Sequence, residues 1–157
     1  MKKGNIGTLF LQGLLLSGYL ILLELWFHIT EGMAISTRLV YPVLLVLPVG
    51  FIITAFFALF PKVINGILSI FFMLAAMIWT SVQVVYSSVF LSYMEINKIS
   101  MGGDVADNFG TEMRDAIVAN IPKIVLFVFF TAVFAVAVFF VIRAERKGLH
   151  NLLVFFL

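Results

Sequence analysis

Few side chains in this sequence are of a type that does chemistry. Glu24 and His28 stand one helical turn apart in an otherwise apolar run, and positions i and i+4 share a helix face. Ionisable groups inside a membrane helix are costly and mark function by default. The two therefore form a candidate intramembrane polar pair; the alternative is an interfacial Glu24 that pairs with His28 or Arg38. A second group is acidic, with Asp104, Asp107, Glu112 and Asp115 following Gly102-Gly103. That pattern is too short for a phosphate loop and lacks its Lys, and its spacing is not that of an EF-hand. Cysteine is absent, which removes disulfides, thiolate metal sites and Cys nucleophiles. The only histidines, His28 and His150, are far apart in sequence. No Ser/His/Asp set offers nucleophilic catalysis, so the sequence supplies no catalytic, cofactor-binding or metal-ligating residues.

The elements that must position these groups follow from composition. Of 157 residues, 63% are apolar and 11% charged, and mean hydropathy is +1.17. Soluble domains run at about 45–50% apolar and about 25% charged. The chain is thus expected to be all-α, a polytopic membrane helical bundle. Its net charge of +2 comes from ten basic and eight acidic residues. That excess is too dispersed for nucleic acid, which needs a clustered basic face.

About 20 mostly apolar residues are needed to cross a bilayer. Four complete spans are expected, at about 6–29, 39–60, 63–90 and 121–142, with a truncated fifth at 152–157. Lys2 and Lys3 ahead of the first span resemble the start of a signal peptide, but the apolar run exceeds the usual 7–15 residues. It reads as a retained signal anchor. Phe60-Pro61-Lys62 makes spans two and three antiparallel neighbours. Pro42 suits a first helical turn, and Pro48 should kink the second span. Trp26, Tyr41, Trp79, Tyr86 and Tyr93 fall near expected interfaces, and Gln83 stands out as the main remaining polar residue at depth. Lys and Arg mark cytoplasmic loops. Lys2, Lys3, Lys62, Arg143, Arg146 and Lys147 all fall on one side if the N-terminus is cytoplasmic, which makes the 91–120 connection external.

Within that connection Asp104 looks like an N-cap, with Asp107 three residues on. Val105, Phe109, Met113, Ala116 and Ile117 recur at helical spacing. This predicts an external amphipathic interfacial helix over about 104–119, ending at Asn120-Ile121-Pro122. Phe109, Met113, Asp104 and Asp107 become a candidate surface for docking lipid or another domain.

The runs Val84-Val85-Tyr86-Ser87-Ser88-Val89-Phe90, Gly102-Gly103-Asp104-Val105-Ala106-Asp107-Asn108-Phe109 and Ala116-Ile117-Val118-Ala119-Asn120-Ile121-Pro122-Lys123-Ile124 resemble the N-terminal membrane region of the lipoteichoic acid synthase family of Gram-positive bacteria, within the sulfatase and alkaline-phosphatase superfamily. The resemblance implies five membrane helices followed by an extracellular catalytic domain absent from this chain. It implies transfer of glycerol phosphate from phosphatidylglycerol during cell wall biogenesis. It further implies a Thr nucleophile and a divalent metal, typically Mn2+, in that missing domain. The expected role is a membrane-anchoring domain in a bacterial cell membrane, holding its own catalytic domain at the outer leaflet among membrane lipids. Two other readings stand beside it: a small transporter or channel subunit using Glu24 and His28, and a non-enzymatic membrane assembly protein.

Overall fold

The computed structural model describes residues 6–32, 40–92 and 102–144, with residues 102–108 and 144 described by their backbone alone. Four helices make up this part of the chain: α1 (Ile6–Thr30), α2 (Val40–Phe57), α3 (Lys62–Phe90) and α4 (Gly102–Ala144). All four are long and apolar enough to cross a membrane. At 1.5 Å per residue the 25 residues of α1 reach roughly 37 Å, more than a hydrocarbon core of about 30 Å.

The helix ends follow local chemistry. Beyond α1, Gly32 takes φ 65°, a left-handed stop that glycine adopts without a Cβ clash. After α2 the backbone tightens, with Leu59 N–H donating to the Phe56 carbonyl and Phe60 N–H to that of Phe57. Pro61 then stands at the N-cap of α3, and the turn is so short that α2 and α3 run antiparallel. α3 ends where Leu91 adopts φ 52°. The first three expected spans therefore agree with the observed helices to within a few residues.

The expectation for the fourth span needs correction. Pro122 does not separate a surface helix from a span; it lies inside α4. The interruption sits at Phe109, whose φ of −127° and ψ of 24° leave the helical region. The stretch from 110 to 144 is one continuous helix, and a separate amphipathic helix ending at Asn120 is not seen among the described residues. Proline is tolerated inside a membrane helix because neighbours re-satisfy the freed backbone. Pro48 is accommodated inside α2 in the same way. The short apolar run 152–157, Tyr93 and Arg38 lie outside the described residues.

α1 is the hub. It packs along α2 and also reaches α3 and α4, while α3 and α4 pack on each other. The core is built on Leu16, Tyr19, Leu23, Met73, Phe127 and Val138. α1 and α2 approach closely because small residues line their crossing: a Cβ on Gly50 would sit 2.6 Å from the Ser17 backbone nitrogen. Small residues at such crossings let membrane helices touch backbone to backbone. The outward faces are apolar, with Leu45, Ile52, Ile67 and Phe71 each more than three-fifths exposed. An aqueous surface would not carry such a coat, whereas lipid tails match it. The chain is a multi-pass membrane protein.

Candidate functional site

The bundle's polar groups fall into three layers, each joined to α1. The first lies toward the end marked by Lys62. Gln12 donates through Nε2 to Asn65 Oδ1 at 2.7 Å and to Ser69 Oγ at 2.9 Å. Ser69 in turn donates to the Asn65 carbonyl at 2.9 Å. Asn65 and Ser69 are one turn apart on α3 and so share a face. All three are almost fully buried, and in hydrocarbon their amides need partners within the protein. Ser17 adds a bond to the Leu47 carbonyl at 2.8 Å, beside Pro48.

The middle layer is Tyr19, whose hydroxyl lies 2.8 Å from the Met73 carbonyl and 2.9 Å from Thr131 Oγ1. Thr131 also reaches the Phe127 carbonyl at 2.7 Å. Two hydroxyl protons serve three contacts, so the bonds alternate within a closed group. Tyr19 thereby ties α1 to α3 and α4 at once.

The third layer lies at the opposite end. Ser87 Oγ donates to Glu31 Oε2 at 2.7 Å, and Lys123 Nζ stands 3.7 Å from Glu31 Oε1. Asn120 Nδ2 donates to Ser88 Oγ at 2.9 Å and to the Ala116 carbonyl at 2.8 Å. Glu31, just past α1, is thus clamped between α3 and α4. An aromatic column leads away from this layer, with Tyr86 on Phe90 at 4.5 Å and Phe90 on Phe109 at 5.3 Å. The arrangement gathers a carboxylate, an ammonium, hydroxyls and an amide at one end of the bundle, where they bond to one another.

The sequence-derived sites fare unevenly. Glu24 and His28 do come together: His28 Nδ1 is 3.0 Å from the Glu24 carbonyl and 3.5 Å from Glu24 Oε1. The pair stays within one turn of α1, with the Glu24 side chain about one-third exposed, and among the described residues it does not join α1 to another helix. Phe109 is exposed and edge-on to Phe90, and Met113 is half-buried on α4. The backbone of Asp104 and Asp107 is helical, and their side chains lie outside what is described. Gln83 is half-buried, whereas Tyr19, Ser69, Gln12 and Ser17 are the deepest polar side chains among the described residues. Asn65 and Ser69 carried a readable signal, two polar residues at i and i+4 in an apolar run. Glu31 and Lys123 carried none, since they are 92 positions apart in sequence and meet only in the fold.

Among the described residues no three His, Asp or Glu side chains converge as a metal set. The described chain therefore offers no ligand set fitting the divalent ion that the family resemblance implies. Compared with protein-family models, curated proteins and solved structures, the chain matches none.

Proposed function

We propose that this chain is the membrane-anchoring domain of a lipoteichoic acid synthase-like phosphoglycerol transferase, set to hold an extracellular catalytic domain at the outer leaflet near phosphatidylglycerol. The observation that carries the reading is the polar layer at Glu31. The three runs that bear the resemblance lie close together, within residues 84–124. Their described residues assemble at a single end of the bundle, where Ser87 and Lys123 both meet Glu31 and Asn120 meets Ser88. The catalytic domain and its Mn2+ belong to this reading as parts outside the chain.

Orientation fits the same picture. Of the described charged side chains, Lys62 and Arg143 lie at one end, while Glu24, Glu31, Glu112 and Asp115 share the other with Arg114 and Lys123. Basic residues mark the cytoplasmic side, so the Glu31 end faces outward and the N-terminus inward.

The polar layers favour an anchor over a pathway. From Gln12 to Tyr19 the rise along α1 is about 10 Å, and from Tyr19 to Glu31 about 18 Å. Leu16 and Leu23, both buried, fill the gaps. Among the described residues the contacts of Glu24 and His28 stay within one turn of α1 and lead to neither the Tyr19 nor the Glu31 layer.

Two measurements test the proposal. Intact-mass spectrometry of the native membrane protein should find these residues at the start of a longer polypeptide with a soluble domain. A 157-residue species with no associated enzyme refutes it and supports an assembly protein. In the complete polypeptide, Asp at Phe109 and Met113 should reduce turnover of membrane phosphatidylglycerol while sparing a water-soluble surrogate. Equal turnover of both substrates removes the docking role.

A further inference from the structure

The end of the bundle opposite Glu31 carries a groove that the anchoring role does not use. It lies between the first turns of α3 and the last turns of α4 and has a volume of about 450 Å3. Its walls are apolar, with Ile67 and Ile70 from α3 and Val138, Phe139 and Ile142 from α4. Lys62 and Arg143 stand at the rim. Lys62 is already engaged in an interaction, so the character of the walls, not the charge of the rim, decides what the groove takes. Ile67 and Phe139 are each more than half exposed, so the described residues leave both walls uncovered.

We propose that this groove is the seat of the chain's own apolar run, Leu152-Leu153-Val154-Phe155-Phe156-Leu157, folded back against α3 and α4. Elimination gives the first argument. Four segments lie outside the described residues: 1–5, 33–39, 93–101 and 145–157. Segments 33–39 and 93–101 join helices at the Glu31 end. Residues 1–5 reach the Lys62 end, but Met1-Lys2-Lys3-Gly4-Asn5 holds a single apolar side chain of any size. Of the four, 145–157 alone brings an apolar run to the groove's own end.

Reach and fit give the others. Ala144 ends α4, next to Arg143 on the rim. The seven residues from 145 to 151 span up to about 23 Å when extended, whereas packed helices stand about 8–10 Å apart. Connections of about 2–8 residues are usual between helices of a bundle, and Gly148 supplies the backbone freedom that a reversal needs. As a helix, the six residues 152–157 rise about 9 Å, against about 12 Å along α3 from Lys62 to Ile70. Leu152, Phe155 and Phe156 then share one face and meet the isoleucines and Val138. Lipid tails are as apolar as these walls, so close side-chain packing is what favours a protein segment over them. The groove is independent of the enzymatic reading above, since no residue of the Glu31 layer lines it.

The chain has no native cysteine, which makes disulfide trapping direct. The full chain is reconstituted in phosphatidylcholine vesicles at low protein density, with Ile67→Cys paired in turn with a cysteine at each position from 152 to 157. Ile52→Cys on α2, similarly exposed, is the control partner. Mild oxidation should link at least one Ile67 pair within the monomer several-fold faster than any Ile52 pair. A second readout does not depend on cross-link geometry. Phe139 is in the wall and Phe140 is not, yet the described residues leave them 52% and 55% exposed. Spin labels on Phe139→Cys and Phe140→Cys, one per protein, should differ, with oxygen collisions several-fold rarer at 139. Equal oxygen access at the two positions means that lipid fills the groove and overturns the proposal. An Ile67 series no faster than the Ile52 series, or one that links only two copies of the chain, overturns it as well.

Discussion

Replacing Gly50 with alanine should weaken the bundle, although alanine is the better helix former. A Cβ there would lie 2.6 Å from the Ser17 nitrogen and 2.8 Å from its Cα, against ordinary contacts of 3.4–4 Å. Both are backbone atoms, so no rotamer relieves the clash and α1 must part from α2 by close to an ångström. Forced overpacking of this sort costs about 1–3 kcal/mol. A gap of 0.5–1 Å also forfeits a quarter to a half of the dispersion energy of each contact it opens. The Ser17 bond to Leu47 is lost with it, about 0.6 kcal/mol for an average interhelical bond in a membrane. Helix propensity returns at most about 1 kcal/mol. The net loss is about 1–3 kcal/mol. Gly18 is the control, because its nearest neighbour is a Phe134 ring atom at 3.8 Å and propensity alone decides. Gly18→Ala should be neutral or stabilising by up to about 1 kcal/mol. Gly13→Ala should fall between, since its clash is with the Phe51 ring, which can turn aside. Reversible unfolding in mixed micelles of dodecyl sulfate gives the three values. If Gly50→Ala is as stable as Gly18→Ala, the close crossing of α1 and α2 is wrong.

Other changes should act through named contacts. Gln12→Leu strands Asn65 in the core and should cost about 1–3 kcal/mol. Adding Asn65→Leu should recover part of that loss, which a double-mutant cycle would measure. Leu91→Gly removes the Cβ penalty of a left-handed residue and should stabilise the end of α3 by about 1 kcal/mol, read from the same unfolding transition. Lys123→Met should cost no more than about 1 kcal/mol, because that ammonium is about one-third exposed, and the loss should shrink further in high salt. Thr54 Oγ1 is buried with no hydrogen-bond partner, so Thr54→Val should be neutral or stabilising.

Helix existence was legible in the sequence because hydrophobic length alone decides it. Three of four helices have nearly the expected bounds, since Gly32 and Pro61 punctuate the chain. The fourth misled for a physical reason. Pro122 and the polar residues before it read as a boundary in water, where a freed carbonyl and an exposed polar face are both stop signals. Beside α3, the same stretch continues as helix, and Asn120 turns inward to Ser88 instead of facing solvent. Which polar residues go inside was the least legible feature. Gln12, Asn65, Ser69 and Thr131 look like isolated polar interruptions until α1, α3 and α4 are laid together. Hydropathy weighs each against its neighbours in sequence, whereas their burial is decided by partners 53 to 112 positions away.

That long reach also bears on what the bundle does. In lipid, apolar packing between helices gains little over packing against tails, so close contact and polar bonds must specify the arrangement. Here α1 supplies the donor or acceptor in each layer: Gln12 to α3, Tyr19 to α3 and α4, Glu31 to both again. Ser17 fixes α2. A transporter divides such bonds between alternating states and leaves some unpaired in each. In this bundle the partners of each layer lie on the protein itself, with the third placed at an interface beside an aromatic column. These bonds join α1 to each of the other three helices, an arrangement that the proposed anchoring role would use to hold the Glu31 end in place.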